Sequence, residues 1–387
     1  MLVVWIIGCL GAIAWIGLSA MIMAACRHVR SLPRGHAKQS TTTSVICPAR
    51  DEADAIEAAV RSRLRDPARW IDFILINDRS TDRTGELIDA MAREDDRVKV
   101  IHVHDLPDGW LGKVHAQQQG TEQAAGEWLL FSDADVHVEP GLVENAIAWA
   151  EDQEADHVAL VPRIEGGPLI MRMCLPVLML VLVSTLRLWR ANDDAHERAM
   201  GVGAFNLVRR DALERAGGME SLKMEIADDV GVGTIIQQSG GRSRLAVASD
   251  RLWVTWYRTR RDFLKGMEKG AAKFGHRPRL LLQSMLVLLL CLSVLSPYIL
   301  LTLWPMLPLP VALIALSASV LGIITTLASS IRFALPREWA AMVPVGLIVT
   351  LFVGQRSIWK AIIKGRVDWK GDDHTLHSAQ AGARVKL

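Results

Sequence analysis

The stretch that most restricts the fold of this chain is a short apolar run that ends in two acidic residues. Trp128–Phe131 is entirely apolar and has the length of a buried strand, and Asp133 and Asp135 follow directly. Side chains two residues apart on an extended chain point to the same side. Both carboxylates are therefore expected to face one space beyond the carboxyl end of the strand, where open α/β sheets bind their ligands.

This pair of carboxylates predicts a metal site. Two carboxylates in one crevice repel each other unless a cation lies between or near them. Mg2+ binds through one or two carboxylates and completes its shell with water and substrate phosphates. Asp133 and Asp135 therefore predict a metal and diphosphate site. The alternative is an acidic turn after a strand, which Asp-x-Asp alone does not exclude.

Long apolar runs at both ends of the chain indicate a membrane protein. Half of the 387 residues are hydrophobic. The run 2–25 can span a bilayer, and the basic residues after it, beginning with Arg27, place the next segment in the cytoplasm. The run lacks a cleavage site of the Ala-x-Ala kind, so we expect an uncleaved anchor. Three further apolar runs close the chain, at 280–304, 311–331 and 340–358.

The last apolar run has two interpretations. It contains Pro344, Gln355 and Arg356. A crossing there would leave the basic residues between 360 and 370 outside, against the positive-inside rule. A re-entrant or interfacial position is the alternative, and the side of the C-terminal tail is left open.

Between the apolar runs, strand and helix signals alternate. Strand-like runs at 43–47, 73–76, 98–103 and 128–131 are separated by helical segments that end at 64, 91 and 125. This alternation predicts an α/β fold with a mostly parallel sheet, an architecture that binds nucleotides. The predicted boundaries are an N-terminal anchor at 1–26, a basic and polar linker at 27–43, a cytoplasmic catalytic domain at 44–277, C-terminal membrane helices at 278–363 and a polar tail at 364–387, disordered after 371.

The predicted loops at the carboxyl ends of the strands carry polar groups that suit a nucleotide. Asp78 is an acceptor for a base, and Lys113, near a helix start, is a cation for phosphate. Taken singly, Asp78 or Asp82 also fits a helix cap, and Lys113 fits a solvated side chain. Their convergence with the carboxylates after the fourth strand favours a functional interpretation.

An ordered series of motifs resembles family 2 glycosyltransferases of the GT-A fold. The motifs are Pro-Ala-Arg-Asp-Glu at 48–52, Asn-Asp-Arg-Ser-Thr-Asp at 77–82, Gly-Lys at 112–113 and Asp-Ala-Asp at 133–135. The flanking apolar runs make the chain similar to the membrane-bound branch, which includes ceramide glucosyltransferase-like and hopanoid-associated enzymes. The resemblance covers residues 44–273. It implies a Rossmann-like domain and an inverting transfer from a nucleotide diphospho-sugar with Mg2+ or Mn2+.

The resemblance also implies a role for each matching residue. Asp78 is expected to hold the nucleotide base, with Ala49 and Glu52 lining the same pocket, and uridine is the expected base. Arg79 departs from the pattern, because glycine is common at its position. The remaining implied roles are a phosphate contact for Lys113, a ribose or metal contact for Asp133 and metal ligation for Asp135.

A second acidic pair, Asp228 and Asp229, is expected to supply the general base. An inverting transfer needs one base to take the proton of the acceptor hydroxyl. By its position after a glycine-rich strand, Asp229 resembles the family's base, with Asp228 beside it as the second choice. The alternative is structural, since acidic residues are favoured at a helix N-terminus by the dipole.

Arg258 and Arg261 have the spacing of the family's Arg-x-x-Arg-Trp element, which implies a contact with the nucleotide sugar. Asp262 replaces the tryptophan. The alternative is a basic helix that continues through Lys265, Lys269 and Lys273 and faces anionic headgroups.

The segment 169–188 is apolar enough to look transmembrane, and it contains Pro176. A crossing there would put Asp135 and Asp229 on opposite sides of the membrane, which excludes one active site. We therefore expect it to lie at the membrane interface, as a helical hairpin broken near Pro176 or beside the path of a lipid. A buried helix of the catalytic domain is the alternative.

The sequence thus predicts an integral membrane glycosyltransferase of the bacterial inner membrane, with its catalytic domain in the cytoplasm. Its expected partners are a nucleotide sugar, a lipid acceptor and the bilayer, with no nucleic acid. The alternatives are a processive polysaccharide synthase and a catalytically silent scaffold of the same fold. Asp78, Asp135 and Asp229 argue against a scaffold, which needs none of them.

Overall fold

A computed structural model describes residues 1–35, 41–196, 199–272, 277–364, 366–369 and 372–375. The strands are β1 (Thr43–Ala49), β2 (Ile71–Asp78), β3 (Val98–Val103), β4 (Trp128–Phe131), β5 (Val136–Val138), β6 (His157–Val161), β7 (Arg163–Ile164), β8 (Asn206–Arg209), β9 (Ser243–Val247), β10 (Leu252–Val254), β11 (Arg366–Trp369) and β12 (Asp372–Thr375). The helices are α1 (Leu2–His28), α2 (Ile56–Leu64), α3 (Thr84–Glu94), α4 (Gly112–Gln123), α5 (Leu142–Asp152), α6 (Leu169–Thr185), α7 (Arg210–Arg215), α8 (Asp228–Gln238), α9 (Arg260–Ala272), α10 (Arg277–Thr302), α11 (Leu309–Arg332) and α12 (Val343–Lys364).

The main sheet has seven strands in the order β3-β2-β1-β4-β8-β6-β9. Strands β3, β2, β1 and β4 are parallel, as predicted, while β8 is antiparallel to both β4 and β6. Asn206 at the start of β8 pairs with Phe131 at the end of β4. The reversal therefore brings the segment before β8 to the edge of the sheet where β1, β2 and β4 end.

Apolar side chains cover both faces of this sheet. Helices α2, α3 and α5 pack on one face, around Val45, Leu75 and Leu130. Helices α4, α7 and α8 pack on the other, around Ile46, Ile76 and Phe131. Burial of both faces explains why the central strands are nearly continuous apolar runs rather than alternating ones. It also keeps the polar residues at the strand ends, where ligands bind.

Among the described residues, three helices are long and apolar enough to cross a membrane: α1, residues Leu280–Thr302 of α10, and α11. They pack on one another and satisfy some of their polar groups internally, as a bilayer requires. The Trp15 indole N–H donates to the Val294 carbonyl at 2.9 Å, and the hydroxyls of Ser19 and Thr325 lie 2.6 Å apart.

The two remaining apolar segments, 169–188 and 340–358, form helices α6 and α12. The hairpin near Pro176 is wrong, because α6 is one continuous helix with Pro176 buried inside it. At 17 residues, α6 is shorter than the roughly 20 residues of a typical crossing, and it packs against α12. In α12, Gln355 is turned inward and donates to the Ser284 carbonyl at 2.9 Å.

The ends of the predicted linker and tail are more structured than expected. The predicted linker begins inside α1 and ends in β1, and the Leu32 N–H donates to the Val247 carbonyl at 2.8 Å. Residues 36–40 lie outside the described part of the chain. Strands β11 and β12 pair antiparallel, so the expectation of disorder after 371 is wrong for Asp372–Thr375. Residues 376–387 are not described.

The packing of α1 on α11 leads to a stability prediction. A Cβ on Gly322 would lie 2.7 Å from the Trp15 ring, whereas a Cβ on Gly17 would meet nothing within 4 Å. We expect Gly322→Ala to destabilise the protein by about 1–3 kcal/mol through overpacking. Gly17→Ala, the matched control, should leave stability unchanged or slightly raised. Thermal unfolding in detergent measures both, and equal midpoints would contradict this helix packing.

Candidate active site

The two acidic segments are joined through the main chain of Gly203. The Asp133 N–H donates to the Gly203 carbonyl at 3.0 Å, and the Gly203 N–H donates to Asp229 Oδ2 at 3.0 Å. A Cβ on Gly203 would lie 2.6 Å from Asp133 Oδ2, and one on Gly201 would overlap the main chain of Asp229. These glycines therefore allow two protein segments to approach each other closely. Asp133 and Asp229 belong to one site.

Lys113 lies between the same two segments. It follows the first residue of α4, and its Nζ is 2.8 Å from Asp133 Oδ1 and 3.0 Å from Asp228 Oδ2. Burial alone would lower the pKa of Lys113, but Asp133, Asp228 and Asp229 outweigh it and hold that pKa well above its usual value. Lys113 is therefore an ammonium at neutral pH, as a phosphate-binding role requires, and the solvated-lysine alternative is wrong.

Asp135 has the environment of a cation ligand. Burial raises its pKa to about 7, and the charges of Asp133 and Glu52 add to the effect while Arg63 opposes it. A carboxylate destabilised in this way gains most from a bound cation. Among the described residues, no group of three or more His, Cys, Asp or Glu side chains is arranged as a metal cage. The donor set instead fits an ion held by one or two carboxylates and completed by phosphates.

The two members of the second acidic pair are held differently. Asp228 is buried and accepts from Lys113 and from Gln117 Nε2, the latter at 2.9 Å. Asp229 accepts from the main-chain N–H groups of Gly203 and Val230, at 3.0 and 2.8 Å. Burial raises the pKa of Asp229, as does the charge of Asp228, while Lys113 opposes them. Asp229 thus has greater proton affinity than an ordinary aspartate and is the better candidate for a base.

Asp78 forms a close ion pair with Arg79 that was not predicted. Asp78 is buried, and Arg79 Nε donates to its Oδ1 at 2.8 Å. A Cβ on Gly112 would lie 2.7 Å from Asp78 Oδ2, so this glycine makes room for the pair. Asp82 lies one residue before Arg83, the N-cap of α3, and its Oδ1 accepts from the Thr84 N–H at 2.9 Å.

Hydrogen bonds join the loop after β1 to the loop after β2. Asp51 has a left-handed backbone, with φ of 54°. Its Oδ1 accepts from the Thr81 N–H at 2.7 Å, and its own N–H donates to Ser80 Oγ at 3.1 Å. Ala49 is buried at the end of β1, and Glu52 lies close enough to Asp135 to raise its pKa. Both predicted pocket residues are therefore at this edge of the sheet.

Arg258 lies two residues before α9 and Arg261 is its second residue, and both side chains are exposed. Arg258 lies close enough to His137 to lower the pKa of that imidazole, behind the larger effects of burial and Arg63. Their predicted contact with the nucleotide sugar stays a prediction. The side chains of Lys269 and Lys273, the later members of the proposed basic face, lie outside the described part of the chain.

The sequence reasoning missed Gln117 and Arg63. Gln117 is four residues after Lys113 on α4, and that spacing puts both on one helix face, so the signal was present. Arg63 is buried and donates to the carbonyls of Asp133 and Val136, at 2.5 and 2.9 Å, which holds the Asp-Ala-Asp turn. No local pattern separates Arg63 from the exposed arginines around it.

Residues 44–217 match the family model described as Glycosyl transferase family 2. Residues 44–217 are thus similar to a family 2 glycosyltransferase domain. Its fold is shared with a mannosyltransferase from Pyrobaculum calidifontis, solved in complex with GDP-Man and Mn2+, at a TM-score of 0.55 and 16% identity. That likeness covers 90% of this chain and 99% of the other. It confirms the GT-A fold.

Two named glycosyltransferases match part of this chain over part of their own length. Glycosyltransferase GlyG of Streptococcus pneumoniae is 29% identical over 119 residues, which are 31% of this chain and 38% of that protein. The 4,4'-diaponeurosporenoate glycosyltransferase of Staphylococcus aureus is 25% identical over 193 residues, 49% of this chain and 50% of that protein. The matches thus span half or less of these two relatives.

The role of Gly203 leads to a prediction for the site. We expect Gly203→Ala to weaken the binding of a nucleoside diphosphate with Mn2+ by about 10- to 100-fold, the loss of one hydrogen bond to a charged group, because the added Cβ displaces the Asp133 carboxylate. Gly8→Ala is the matched control, since its Cβ makes only ordinary contacts at 3.6 Å. Calorimetric titration on folded protein measures both. Unchanged binding in Gly203→Ala would show that Asp133 does not hold the nucleotide.

Proposed function

We propose that this protein is an inverting glycosyltransferase that moves a sugar from a nucleotide diphospho-sugar to a lipid acceptor at the cytoplasmic face of a bacterial inner membrane. The observation that carries the proposal is the convergence of both acidic segments on Lys113 and Gly203. This convergence would place a diphosphate and cation site beside a candidate base, since Asp133 and Asp229 both form hydrogen bonds with Gly203.

The donor would lie across the loops at the carboxyl ends of β1, β2 and β4. Asp78 would face the base, and Lys113 would leave part of its ion pairing with Asp133 to bind the diphosphate. Asp135, with Asp133, would hold Mg2+ or Mn2+, an assignment supported by the Mn2+ in the solved mannosyltransferase of the same fold. When bound, such an ion supplies positive charge that stabilises the leaving diphosphate.

The transfer itself requires one proton acceptor. Asp229 would take the proton of the acceptor hydroxyl while that oxygen attacks the anomeric carbon and the bond to the nucleoside diphosphate breaks. Asp228 is not a candidate nucleophile, because Lys113 and Gln117 occupy its carboxylate. With one base and no carboxylate nucleophile, the displacement inverts the anomeric centre.

A lipid acceptor is supported by what adjoins the site. Tyr257 is near enough to Asp133 and Asp135 for their charges, behind burial, to raise its pKa to about 12. The same ring packs edge-on against Phe263, at 5.8 Å between centroids, within an apolar cluster shared with α6 and α12. The carboxylates therefore adjoin helices that lie next to the candidate membrane spans.

Substitutions in the two acidic segments should affect donor binding and turnover separately. We expect Asp135→Asn to lose metal-dependent donor binding. Asp229→Asn should keep that binding and lose about 10²- to 10⁴-fold in turnover, the usual contribution of a general base. Calorimetry and transfer of labelled sugar to extracted membrane lipid measure the two steps. Asp229→Asn with full turnover would remove the base assignment, and wild-type protein that binds no nucleotide with Mg2+ or Mn2+ would favour a silent scaffold.

The pH dependence of turnover distinguishes Asp229 from Asp228. A base works only when deprotonated, so kcat at saturating donor and metal should fall as pH drops through the raised pKa of Asp229. Asp228→Asn removes a charge that raises this pKa and leaves Lys113, which lowers it. The acid limb of the profile should therefore move to lower pH. Turnover abolished in Asp228→Asn but retained in Asp229→Asn would exchange the two roles.

A further inference from the structure

A strained arginine stands beside the residue expected to hold the nucleotide base. Arg79 has φ of 55°, in the left-handed region that residues with a Cβ rarely adopt. Such strain persists where the surrounding structure holds it, often at ligand sites. In this backbone conformation the Arg79 guanidinium faces Asp78, the preceding residue, with Nε 2.8 Å from Oδ1 and Nη2 3.4 Å from Oδ2.

The neighbouring chain is shaped around this pair. Gly112 lies where any Cβ would collide with Arg79 Nη2 and Asp78 Oδ2. The side chains of Asp78 and Arg79 are only 5% and 19% exposed. A guanidinium and a carboxylate are thus held side by side, one as a fixed donor and the other as a fixed acceptor.

An imidazole with an unsatisfied nitrogen adjoins the pair. His115 is 9% exposed, and its Nδ1 is buried without a hydrogen-bond partner among the described residues. Asp78 and Arg79 are near enough for their charges to act on its pKa, which burial lowers overall. Trp110 packs edge-on against the ring, at 5.6 Å between centroids. A buried polar group without a partner calls for an explanation, and a ligand atom is one.

We propose that Arg79 and His115 are specificity-determining residues which, together with Asp78, read the pairing edge of uracil. This inference rests on the proposed function and names the base of its donor. The uracil edge presents one N–H donor between two carbonyl acceptors. Asp78 accepts from the N–H, and Arg79 and a neutral His115 each donate to a carbonyl.

Other bases match this set of groups less well. Cytosine has an acceptor at the central position, which would face the carboxylate of Asp78. Guanine adds an amino donor where uracil has a carbonyl, so one protein donor would face another donor. The fold does not decide the base, since the solved mannosyltransferase of the same fold holds GDP-Man. The choice must come from side chains, and a site built on hydrogen bonds rejects bases that leave its buried groups unpaired.

Titration of four nucleotides into the full-length protein in detergent with Mn2+ tests the inference. UDP, CDP, GDP and ADP are compared for the wild type, Arg79→Gly, His115→Phe and His115→Gln. Mn2+ pyrophosphate, which has no base, is the reference ligand. Arg79→Gly suits the left-handed backbone, so the loop keeps its conformation. The matched control is Arg83→Ala, which removes an exposed arginine of the same loop.

We expect the wild type to bind UDP most tightly, and Arg79→Gly to reduce the preference for UDP over CDP by about tenfold or more. His115→Phe should also reduce the preference for UDP over CDP. His115→Gln should reduce it less, because the glutamine amide can still donate a hydrogen bond. Arg83→Ala should leave it unchanged, and pyrophosphate should bind all folded variants alike.

The possible failures are distinguishable. Tighter wild-type binding of GDP, ADP or CDP than of UDP would overturn the inference, as would an unchanged preference in Arg79→Gly. Failure of the wild type to bind pyrophosphate and every nucleotide would overturn the proposed function itself. If His115→Phe does not fold, the Arg79→Gly result decides.

Discussion

The ammonium of Lys113, placed between two acidic segments, is the interaction on which the rest of the site depends. Its contacts at 2.8 Å with Asp133 and 3.0 Å with Asp228 bring carboxylates from distant parts of the chain into one crevice. Burial raises the pKa values of Asp135 and Asp229, and the neighbouring carboxylates, which one ammonium does not neutralise together, raise them further. This residual negative charge favours a further cation, and it makes Asp229 a stronger proton acceptor.

The fold makes that arrangement possible through one reversal of strand direction. Because β8 runs antiparallel to β4, the glycine-rich segment before β8 meets the acidic turn after β4. Gly203 can then bond Asp133 and Asp229 with its own main chain, in a space too small for a Cβ. Arg63 holds the Asp-Ala-Asp turn from the other side. Main-chain bonds and a buried guanidinium thus hold the carboxylates near one another despite their repulsion.

Much of the parallel half of the sheet could be predicted from the sequence. The bounds of β3 and β4 were predicted as observed, since apolar runs bounded by polar loops are a local signal. Asp82 was offered as a helix cap; the N-cap of α3 is Arg83, and Asp82, one residue earlier, accepts from the Thr84 N–H. The outcome for α6 differed, because a proline inside an apolar segment suggests a break, while packing against α12 and its other neighbours keeps the helix continuous. The Gly203 bridge has no local signal, because it joins segments that are far apart in the chain. Arg79 was singled out as a departure from the family pattern, but its pairing with Asp78 depends on the space that Gly112 leaves beside it.

The sequence by itself determined which chemical groups are present and which strand ends carry them. It determined that Asp78, Lys113, Asp133 and Asp135 follow or adjoin predicted strands, and that apolar runs flank the domain. Only the tertiary structure decided that Lys113 pairs with both acidic segments and that Arg79 adopts a left-handed backbone. It also decided that Lys113 and Gln117 bind the Asp228 carboxylate, while main-chain N–H groups bind that of Asp229. The physical reason is that charge, burial and hydrogen-bond partners depend on distances between segments far apart in the chain, which no local pattern encodes.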